Sequence, residues 1–454
     1  MRFSRVAVVA LVVALAACSK VHETTLDNGL KVVVKQDHRS PVVVSQIWYR
    51  VGSVDEPAGL TGISHVLEHL MFKGTANHKA GEFSRIVAEN GGRENAFTSR
   101  DYTAYFQQLE KSRLKVSFEL EADRMQNLLL DPGEVRKEIQ VVMEERRLRT
   151  DDQPEGLLYE RFMETAYTTH SYRHPVIGWM RDLERITLDD LRDWYRRFYA
   201  PNNATLVVVG DVRPREVFAL ARQYFGPVPR RDLDATQPEP EPPQREERRV
   251  RVGAPAEVPS LLMGFHATRI RGDGPDWEPY ALQVLTGVLD GGNSARFARE
   301  LVRGQAIAAG ADAEYRPYAR DPVQVLFSGT PARGRSIADL EAAILAQIER
   351  LQAEPVTGEE LDRVKAQVVA SEVYGRDSVF YQAMQIGTLE TVGLDWHLMD
   401  EYVKRIRAVT AKQVQAVAKK YLVAGNRTVA VLDPQPLSGK KRPAPAPMGG
   451  HGVR

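Results

Sequence analysis

The sequence contains an internal repeat, and this repeat limits the folds that the chain can adopt. Residues 186–211 and 409–434, offset by 223 residues, share a threonine, a helical pattern of apolar residues, a polar turn and a threonine-led run of valines. Residues 41–50 resemble residues 259–268 in the same way. A repeated unit of helices and strands predicts one plan built twice. We therefore expect an α+β protein with two related α/β domains in tandem, each a mixed sheet with a helical layer.

Composition places the boundaries of these two domains. Residues 232–249 are rich in proline and charge and predict a linker. The N-terminal domain then spans residues 18–231 and the C-terminal domain spans residues 250–434. Residues 435–454 contain proline, glycine and basic residues without periodicity, so we expect a disordered tail.

Periodicity predicts the elements of the N-terminal domain. An alternating segment rich in threonine and aromatic residues, 95–106, predicts a strand at the edge of the sheet. Apolar residues at helical spacing predict four helices, at residues 62–72, 80–90, 109–130 and 132–149.

The charge balance argues against one class of partner. Lysine and arginine number 61 and aspartate and glutamate 60, so the formal net charge is only +1. A chain with this balance has no overall electrostatic attraction for a polyanion. We therefore expect no nucleic-acid partner.

The N-terminus carries the single cysteine of the chain, Cys18. Arg2 and Arg5 precede the apolar run 6–17, which ends in small residues directly before Cys18. This order resembles a bacterial lipoprotein signal peptide at residues 1–17, cleaved so that Cys18 becomes acylated. An ordinary cleaved signal peptide and a transmembrane anchor are the alternatives, and the run of about 12 residues is shorter than the roughly 20 that a spanning helix needs.

The lipoprotein resemblance implies a location in the bacterial cell envelope. Acylation of Cys18 would tether the mature chain to a membrane through its lipid. Ser19, which follows the cysteine, favours the outer membrane over the inner membrane in such proteins. We therefore expect a lipid-anchored protein at the outer membrane that faces the periplasm.

Residues 65–69 read HVLEH and predict a metal site. Positions i and i+4 of a helix share a face, so His65 and His69 can bind one metal ion. Glu68 lies beside that ion, where a carboxylate can act as general base towards the attacking water. The alternative is a pair of histidines on an ordinary amphipathic helix, because so short a pattern also occurs by chance.

The predicted helix 132–149 offers a further ligand. A catalytic zinc site needs a third protein ligand and one open position. Glu138 and Glu145 are two helical turns apart and share a face, whereas Glu144 points about 100° away. The sequence therefore predicts that this helix places a carboxylate beside the two histidines.

These motifs resemble the pitrilysin/insulinase family of zinc peptidases, which includes insulin-degrading enzyme and mitochondrial processing peptidase. The resemblance is carried by HVLEH and the LMFKGT after it, by GGRENAFT at residues 91–98, and by a glutamate 76 residues after the second histidine. It implies one zinc ion per chain held by His65, His69 and Glu145, with Glu68 as general base. Glu138 is then the residue that orients a histidine or tunes the site.

The same resemblance implies an activity and an architecture. The chain is similar to the short two-domain members of the family, so we expect a zinc metalloendopeptidase that cleaves peptides or unfolded segments and forms half of a clamshell chamber. Asn95 and Ala96 are the residues of the edge strand that would contact peptide by strand addition. A non-catalytic scaffold or assembly subunit of the same fold is the alternative, and a metal-binding or transport lipoprotein is a third possibility.

The second half lacks the metal motif and one further pair of residues. An offset of 218 residues places Gln283, Thr286 and Gly287 at the positions of the HVLEH triad. An Arg and a Tyr that this family uses to hold substrate are replaced by Val302 and Ala309. A shift of one residue restores Arg303 but places Gly310 at the tyrosine position.

The missing pair implies a partner. In some heterodimers of this family a metal-less paralogue supplies the Arg and the Tyr, so we expect this chain to be the metal-bearing subunit of such a heterodimer. A homodimer is the alternative.

Overall fold

The computed structural model describes residues 21–233, 238–274 and 276–437. Within this part of the chain there are two sheets, each at the centre of one domain. The predicted signal peptide, Cys18 and the tail beyond residue 437 lie outside the described residues. None of the helices in the described part is long and apolar enough to cross a membrane.

The first domain is built on a six-stranded mixed sheet. Its strands are Val21–Thr25 (β1), Lys31–Gln36 (β2), Val42–Tyr49 (β3), Arg93–Thr98 (β4), Thr103–Glu110 (β5) and Ala204–Gly210 (β6). They lie in the order β1-β2-β6-β3-β5-β4. Only β2 and β6 run parallel, and the other neighbours are antiparallel.

The first domain also contains helices. They are Ile63–Leu70 (α1), Glu82–Glu89 (α2), Leu114–Asn127 (α3), Pro132–Arg146 (α4), Pro154–Ala166 (α5), Met180–Leu183 (α6), Leu188–Phe198 (α7) and Pro214–Tyr224 (α8). The start of α4 follows from local chemistry, because the Asp131 side chain accepts hydrogen bonds from the backbone of Gly133 (2.7 Å) and Glu134 (3.0 Å). Pro132 occupies the first helical position, where its missing N–H costs nothing.

The second domain repeats the plan with five strands. They are Arg248–Pro255 (β7), Ser260–Ala267 (β8), Ala308–Tyr315 (β9), Val323–Pro331 (β10) and Arg427–Gln435 (β11). Their order, β7-β11-β8-β10-β9, matches β2-β6-β3-β5-β4 of the first sheet, and the one parallel pair falls at the same place. The predicted α+β fold with two related domains, each with a mixed sheet and helices, is confirmed.

The helices of the second domain are Glu278–Asp290 (α9), Ile337–Ala353 (α10), Gly358–Gly375 (α11), Val379–Thr391 (α12), Leu398–Ala408 (α13) and Ala411–Tyr421 (α14). A π-helical segment, Phe297–Gly304, follows α9. The predicted triad equivalents lie on α9, which follows β8 as α1 follows β3. The two domains thus share the position of this helix, but the second lacks the two histidines and the glutamate of the HVLEH motif.

One helix of each domain packs on the sheet of the other domain. Helix α5 of the first domain packs on β7 and β11, and α12 of the second domain packs on β3 and β6. An ion pair of 2.7 Å joins Lys31 on β2 to Glu390 on α12. Valines of the first sheet therefore belong to the same buried cluster as the core of the second domain. The two domains cannot separate without exposing apolar surface.

Two predicted elements were wrong in their bounds. The predicted strand 95–106 is a hairpin, because β4 ends at Thr98 and β5 begins at Thr103, and only β4 lies at the sheet edge. The predicted helix 109–130 begins at Leu114, since Leu109 belongs to β5, where its side chain is buried. Both errors arise where a strand turns or meets a helix, and periodicity alone does not locate such junctions.

Candidate active site

Helix α1 carries the HVLEH motif and is fixed at its first turn. Gly62 precedes the helix with a φ of +88°, a conformation that favours glycine. The buried Glu56 carboxylate accepts hydrogen bonds from the backbone N–H of Gly62 (2.7 Å) and Ser64 (2.9 Å). These donors are among the N–H groups that a helix start leaves without helical partners.

The second domain contributes to this support. Arg320 forms two hydrogen bonds, of 2.7 and 2.9 Å, with the carboxylate of Asp55, the residue before Glu56. Both side chains are largely buried, and this pair joins the domains. The position of α1 therefore depends on the packing of both halves of the chain.

The structure brings together the three predicted metal ligands. His65 and His69 lie on α1, Glu145 lies on α4, and one ligand atom from each falls within 4.8 Å of the others. The Nε2 atoms of His65 and His69 are 3.8 and 3.5 Å from the Glu145 carboxylate oxygens. Two imidazoles and a carboxylate are a donor set that suits zinc, so these residues fit the ion that the motif predicts. Within the described ranges they are the only such group.

Glu68 is buried beside these ligands. It is 4% exposed, and the Thr98 hydroxyl on β4 donates a hydrogen bond to its carboxylate. Burial raises the pKa of Glu68 to about 7, while the Thr98 hydrogen bond and the charge of His69 act in the opposite direction. A carboxylate with a pKa near neutrality can both accept and return a proton, as a general base and acid must.

Glu138 lies on the other side of His69. Its Oε2 is 3.2 Å from Nδ1 of His69, and its Oε1 is 2.8 Å from Nζ of Lys73. A carboxylate at Nδ1 leaves Nε2 of His69 directed to the Glu145 side, which is the arrangement that orients a metal-binding histidine. The structure therefore places Glu138 at Nδ1 of His69, and its role in orienting this histidine stays a prediction.

The carboxylates around His69 favour a cation at this point. Burial acts to lower the pKa of His69, but the hydrogen bonds that His69 donates to Glu138 and Glu145 and the charge of Glu68 outweigh it and raise the pKa to about 9. Burial likewise acts to raise the pKa of Glu145, and the hydrogen bond with His69 and nearby positive charge lower it to about 2. The same charges would stabilise a divalent metal ion.

The predicted substrate strand lies next to this cluster. β4 pairs with β5 and, among the described strands, has no neighbour on its other side. Ala96 on β4 is fully buried, and the Asn95 side-chain oxygen accepts a hydrogen bond of 2.9 Å from the Ala96 N–H. The contact of Thr98 with Glu68 brings the end of this strand to the site. Peptide binding by Asn95 and Ala96 stays a prediction.

A cavity of about 400 Å³ lies beside the ligands, and sequence reasoning missed several residues that surround it. Thr98 is the last residue of the GGRENAFT motif and follows the predicted substrate residues. The motif could therefore have indicated that Thr98 lies near the site. Arg100 and Tyr159 belong to no recognised motif. They are far apart in the sequence and meet only because α5 packs near the β4–β5 turn. The missed residues that line the cavity are Thr98, Arg100, Arg149, Tyr159, Arg173 and His174.

The positions of the missing Arg and Tyr lie in the second domain. Val302 falls in the π-helical segment and Ala309 in β9. Arg303, the residue that a shift of one would place there, donates a hydrogen bond to the backbone carbonyl of Asn293.

Comparisons with known proteins identify the family of this chain. The family model described as "Insulinase (Peptidase family M16)" matches residues 31–178, and the model "Peptidase M16 inactive domain" matches residues 185–368. An uncharacterized zinc protease of Mycobacterium leprae is 28% identical over 419 residues, which cover 90% of each chain. A Pseudomonas fluorescens structure titled as a peptidase M16 inactive domain shares the fold, with a TM-score of 0.82 at 18% identity.

Two matches from Helicobacter pylori are more similar in sequence. The zinc protease PqqE is 37% identical over 350 residues, which cover 76% of this chain and 78% of the relative. A crystal structure of a protease from the same organism superposes with a TM-score of 0.87 at 33% identity, covering 92% of this chain and all of that one. Together with the repeated two-domain fold, these family models and relatives show that the chain belongs to the insulinase (M16) family of peptidases.

Proposed function

We propose that this protein is a zinc metalloendopeptidase that hydrolyses peptide bonds in peptides or unfolded segments. The observation that carries the proposal is the meeting of His65, His69 and Glu145 beside a buried Glu68, at the end of a sheet edge that can accept a peptide strand. The names of the relatives support zinc as the metal and proteolysis as the reaction.

The residues divide the chemistry among them. His65, His69 and Glu145 would hold one zinc ion, and Glu138 would keep His69 oriented. When bound, zinc supplies a Lewis acid that polarises the scissile carbonyl and acidifies the attacking water. Glu68, held by Thr98, accepts a proton from that water and passes it to the leaving amine. The edge of β4 binds the substrate backbone through strand addition.

The test is the Glu68→Gln variant with a quenched fluorescent peptide. We expect the variant to retain zinc, measured by elemental analysis, while turnover falls by at least about 10²-fold, because general base catalysis is lost. The matched control is Glu144→Gln, since Glu144 lies on the same helix as the ligand and pairs with Arg147 on the surface. Unchanged turnover in the Glu68 variant would contradict the mechanism.

We further propose that the active form contains a metal-less paralogue that supplies an Arg and a Tyr. The support is the occupation of the corresponding positions by Val302 and Ala309. The chain is assayed alone and mixed with a candidate paralogue, with and without chelator. Chelator-sensitive cleavage that needs the mixture supports the heterodimer, and full activity of the chain alone favours a self-sufficient homodimer or monomer. Absence of chelator-sensitive cleavage in both favours the non-catalytic scaffold.

The lipid anchor is also a proposal. It rests on the order of basic, apolar and small residues before Cys18. Replacing Cys18 with alanine is expected to move the protein from the outer-membrane fraction to the soluble periplasmic fraction and to abolish labelling with a radioactive fatty acid. Labelling that persists in the variant would contradict acylation at Cys18.

A further inference from the structure

Arg100 stands at the tip of the β4–β5 hairpin. The Ser99 N–H donates to the Tyr102 carbonyl at 2.7 Å, so Arg100 and Asp101 are the two central residues of the turn. The Arg100 carbonyl accepts a hydrogen bond of 2.9 Å from the N–H of Val54. The backbone of Arg100 is therefore held in place on the wall of the active-site cavity.

The guanidinium of Arg100 has aromatic neighbours and no acidic partner at ion-pair distance among the described residues. It lies 5.7 Å from the ring centres of both Tyr159 and Tyr172, and one of its terminal N–H groups donates to the Tyr159 hydroxyl at 2.6 Å. Its Nε is buried without a hydrogen-bond partner in the described structure. The adjacent Asp101 instead accepts a hydrogen bond of 2.7 Å from the Tyr172 hydroxyl.

The other two arginines of the cavity have acidic neighbours. Arg149 lies 2.6 Å from a carboxylate oxygen of Glu145. Arg173 donates to the Thr168 carbonyl at 3.2 Å and lies 4.0 Å from Glu164. Arg100 is thus the arginine of this wall whose positive charge lacks a close counter-ion in the described part of the chain. Such a charge in a partly buried site favours an anionic ligand.

The donors at this point match a carboxylate. A guanidinium offers several N–H groups in a planar fork that suits the two oxygens of a carboxylate. The Tyr159 hydroxyl accepts from Arg100 and keeps its own proton to donate to a ligand. Together the two side chains can bind one carboxylate from one side of the cavity.

The position of Arg100 relates this carboxylate to the scissile bond. Thr98, two residues before Arg100, contacts the general base Glu68. Two residues span at most about 7 Å, so Arg100 lies close to this end of β4. We propose that Arg100 and Tyr159 form a subsite for a substrate carboxylate one or two residues from the cleaved bond. This inference rests on the proposed peptidase function, because it assumes that peptide lies along β4.

A binding measurement on the Glu68→Gln protein tests the subsite without turnover. The probes are fluorescent peptides with one glutamate, or its neutral counterpart glutamine, at each of the central positions, and peptides with a free or an amidated C-terminus. We expect one glutamate position, or the free C-terminus, to improve affinity by about tenfold, as a charge-assisted hydrogen bond does. A fixed internal position identifies an acidic side chain, and a preference for the free C-terminus identifies the terminal carboxylate.

Variants of the pair then assign the effect. Arg100→Gln is expected to abolish the preference for the carboxylate. Arg100→Lys should reduce the preference, because lysine lacks the planar fork of N–H groups, and Tyr159→Phe should weaken it. The matched control is Arg85→Gln, since Arg85 lies on the surface of α2, where it pairs with Glu82 and Glu89. Arg100→Lys keeps the charge, so it remains informative if the glutamine variant does not fold.

The outcomes separate this inference from the proposed function. Equal affinity for acidic and neutral peptides, or a preference that survives in both Arg100 variants, would overturn the subsite. A preference that depends on Arg100, in a wild-type protein that cleaves none of the peptides either alone or mixed with the paralogue, would support the subsite and contradict the peptidase proposal. Cleavage by the wild type without any carboxylate preference would support the peptidase proposal and contradict the subsite.

Discussion

At the residue scale, the carboxylate of Glu138 joins His69, a predicted metal ligand, to the positively charged side chain of Lys73. Its two oxygens contact His69 and Lys73 at 3.2 and 2.8 Å, and the residue is 5% exposed. The seven-residue spacing from Glu145 predicted that both glutamates share a face of α4. It did not distinguish which one lies at the histidine pair, because that depends on how α4 packs against α1.

We expect Glu138→Gln to weaken zinc binding by about 10- to 100-fold, because a carboxylate behind a ligand histidine orients the ring and raises its basicity. Competition with a chelator of known zinc affinity measures the change. The control is Glu134→Gln, one turn earlier on α4, where the side chain pairs with Lys137. Equal zinc affinity in the two variants would show that Glu138 does not tune the site.

At the element scale, α11 shows how a helix start can couple to a distant element. Thr357 and Glu360 form a capping box, and Glu360 also forms hydrogen bonds of 2.7 and 2.9 Å with the buried Arg296. Arg296 belongs to the Gly-Gly turn that follows α9. A threonine followed by a glutamate three residues later is typical of this cap, whereas the contact with Arg296 is visible only in three dimensions.

The Glu360 contacts predict a pH-dependent stability. Hydrogen bonding from Arg296, opposed by burial, lowers the pKa of Glu360 from 4.5 to about 2. A carboxylate with a lowered folded-state pKa stabilises the fold above its unfolded pKa and loses this effect as the pH falls. We expect Glu360→Gln to reduce the free energy of unfolding by about 1 to 3 kcal/mol at pH 7. The difference from wild type should shrink as the pH falls from 4.5 towards 2.

Urea unfolding at pH 7, 5, 4 and 3 measures this difference. The control is Glu359→Gln, because the neighbouring Glu359 is exposed in the first turn of the same helix. A destabilisation by Glu360→Gln that is the same at every pH would mean that the Glu360 charge is not its source.

At the scale of the whole molecule, the exchanged helices make the two domains one unit. Gly387 on α12 packs directly against the indole of Trp48 on β3, so that a Cβ at this position would overlap the ring. Trp48 is fully buried, and its Nε1 donates a hydrogen bond of 3.0 Å to the Gln46 side chain. The ring therefore has little freedom to move away.

We expect Gly387→Ala to lower the free energy of unfolding by about 1 to 3 kcal/mol, the usual cost of overpacking a core. Chemical denaturation measures the loss, and tryptophan fluorescence reports on the Trp48 environment. The control is Gly358→Ala in the first turn of α11, where a Cβ meets no atom within 4 Å. Equal stability of both variants would mean that the interface between α12 and the first sheet rearranges at little energetic cost.

Local spacing in the sequence determined part of this protein. The HVLEH spacing alone predicts two histidines on one face of a helix, because the period of a helix is a property of the backbone. The repeat likewise predicted two sheets of one plan, since strands and turns recur with the same pattern of apolar residues. The family and the two-domain fold are confirmed, and the roles of the site residues stay predictions.

Which distant side chains meet depends on tertiary packing. The approach of Glu145 to the histidines, the hydrogen bond of Thr98 with Glu68, the pairing of Arg100 with Tyr159 and the exchange of α5 and α12 all join residues far apart in the chain. Such contacts depend on how complementary surfaces pack, and a helix or strand pattern specifies which face is apolar but not which surface covers it.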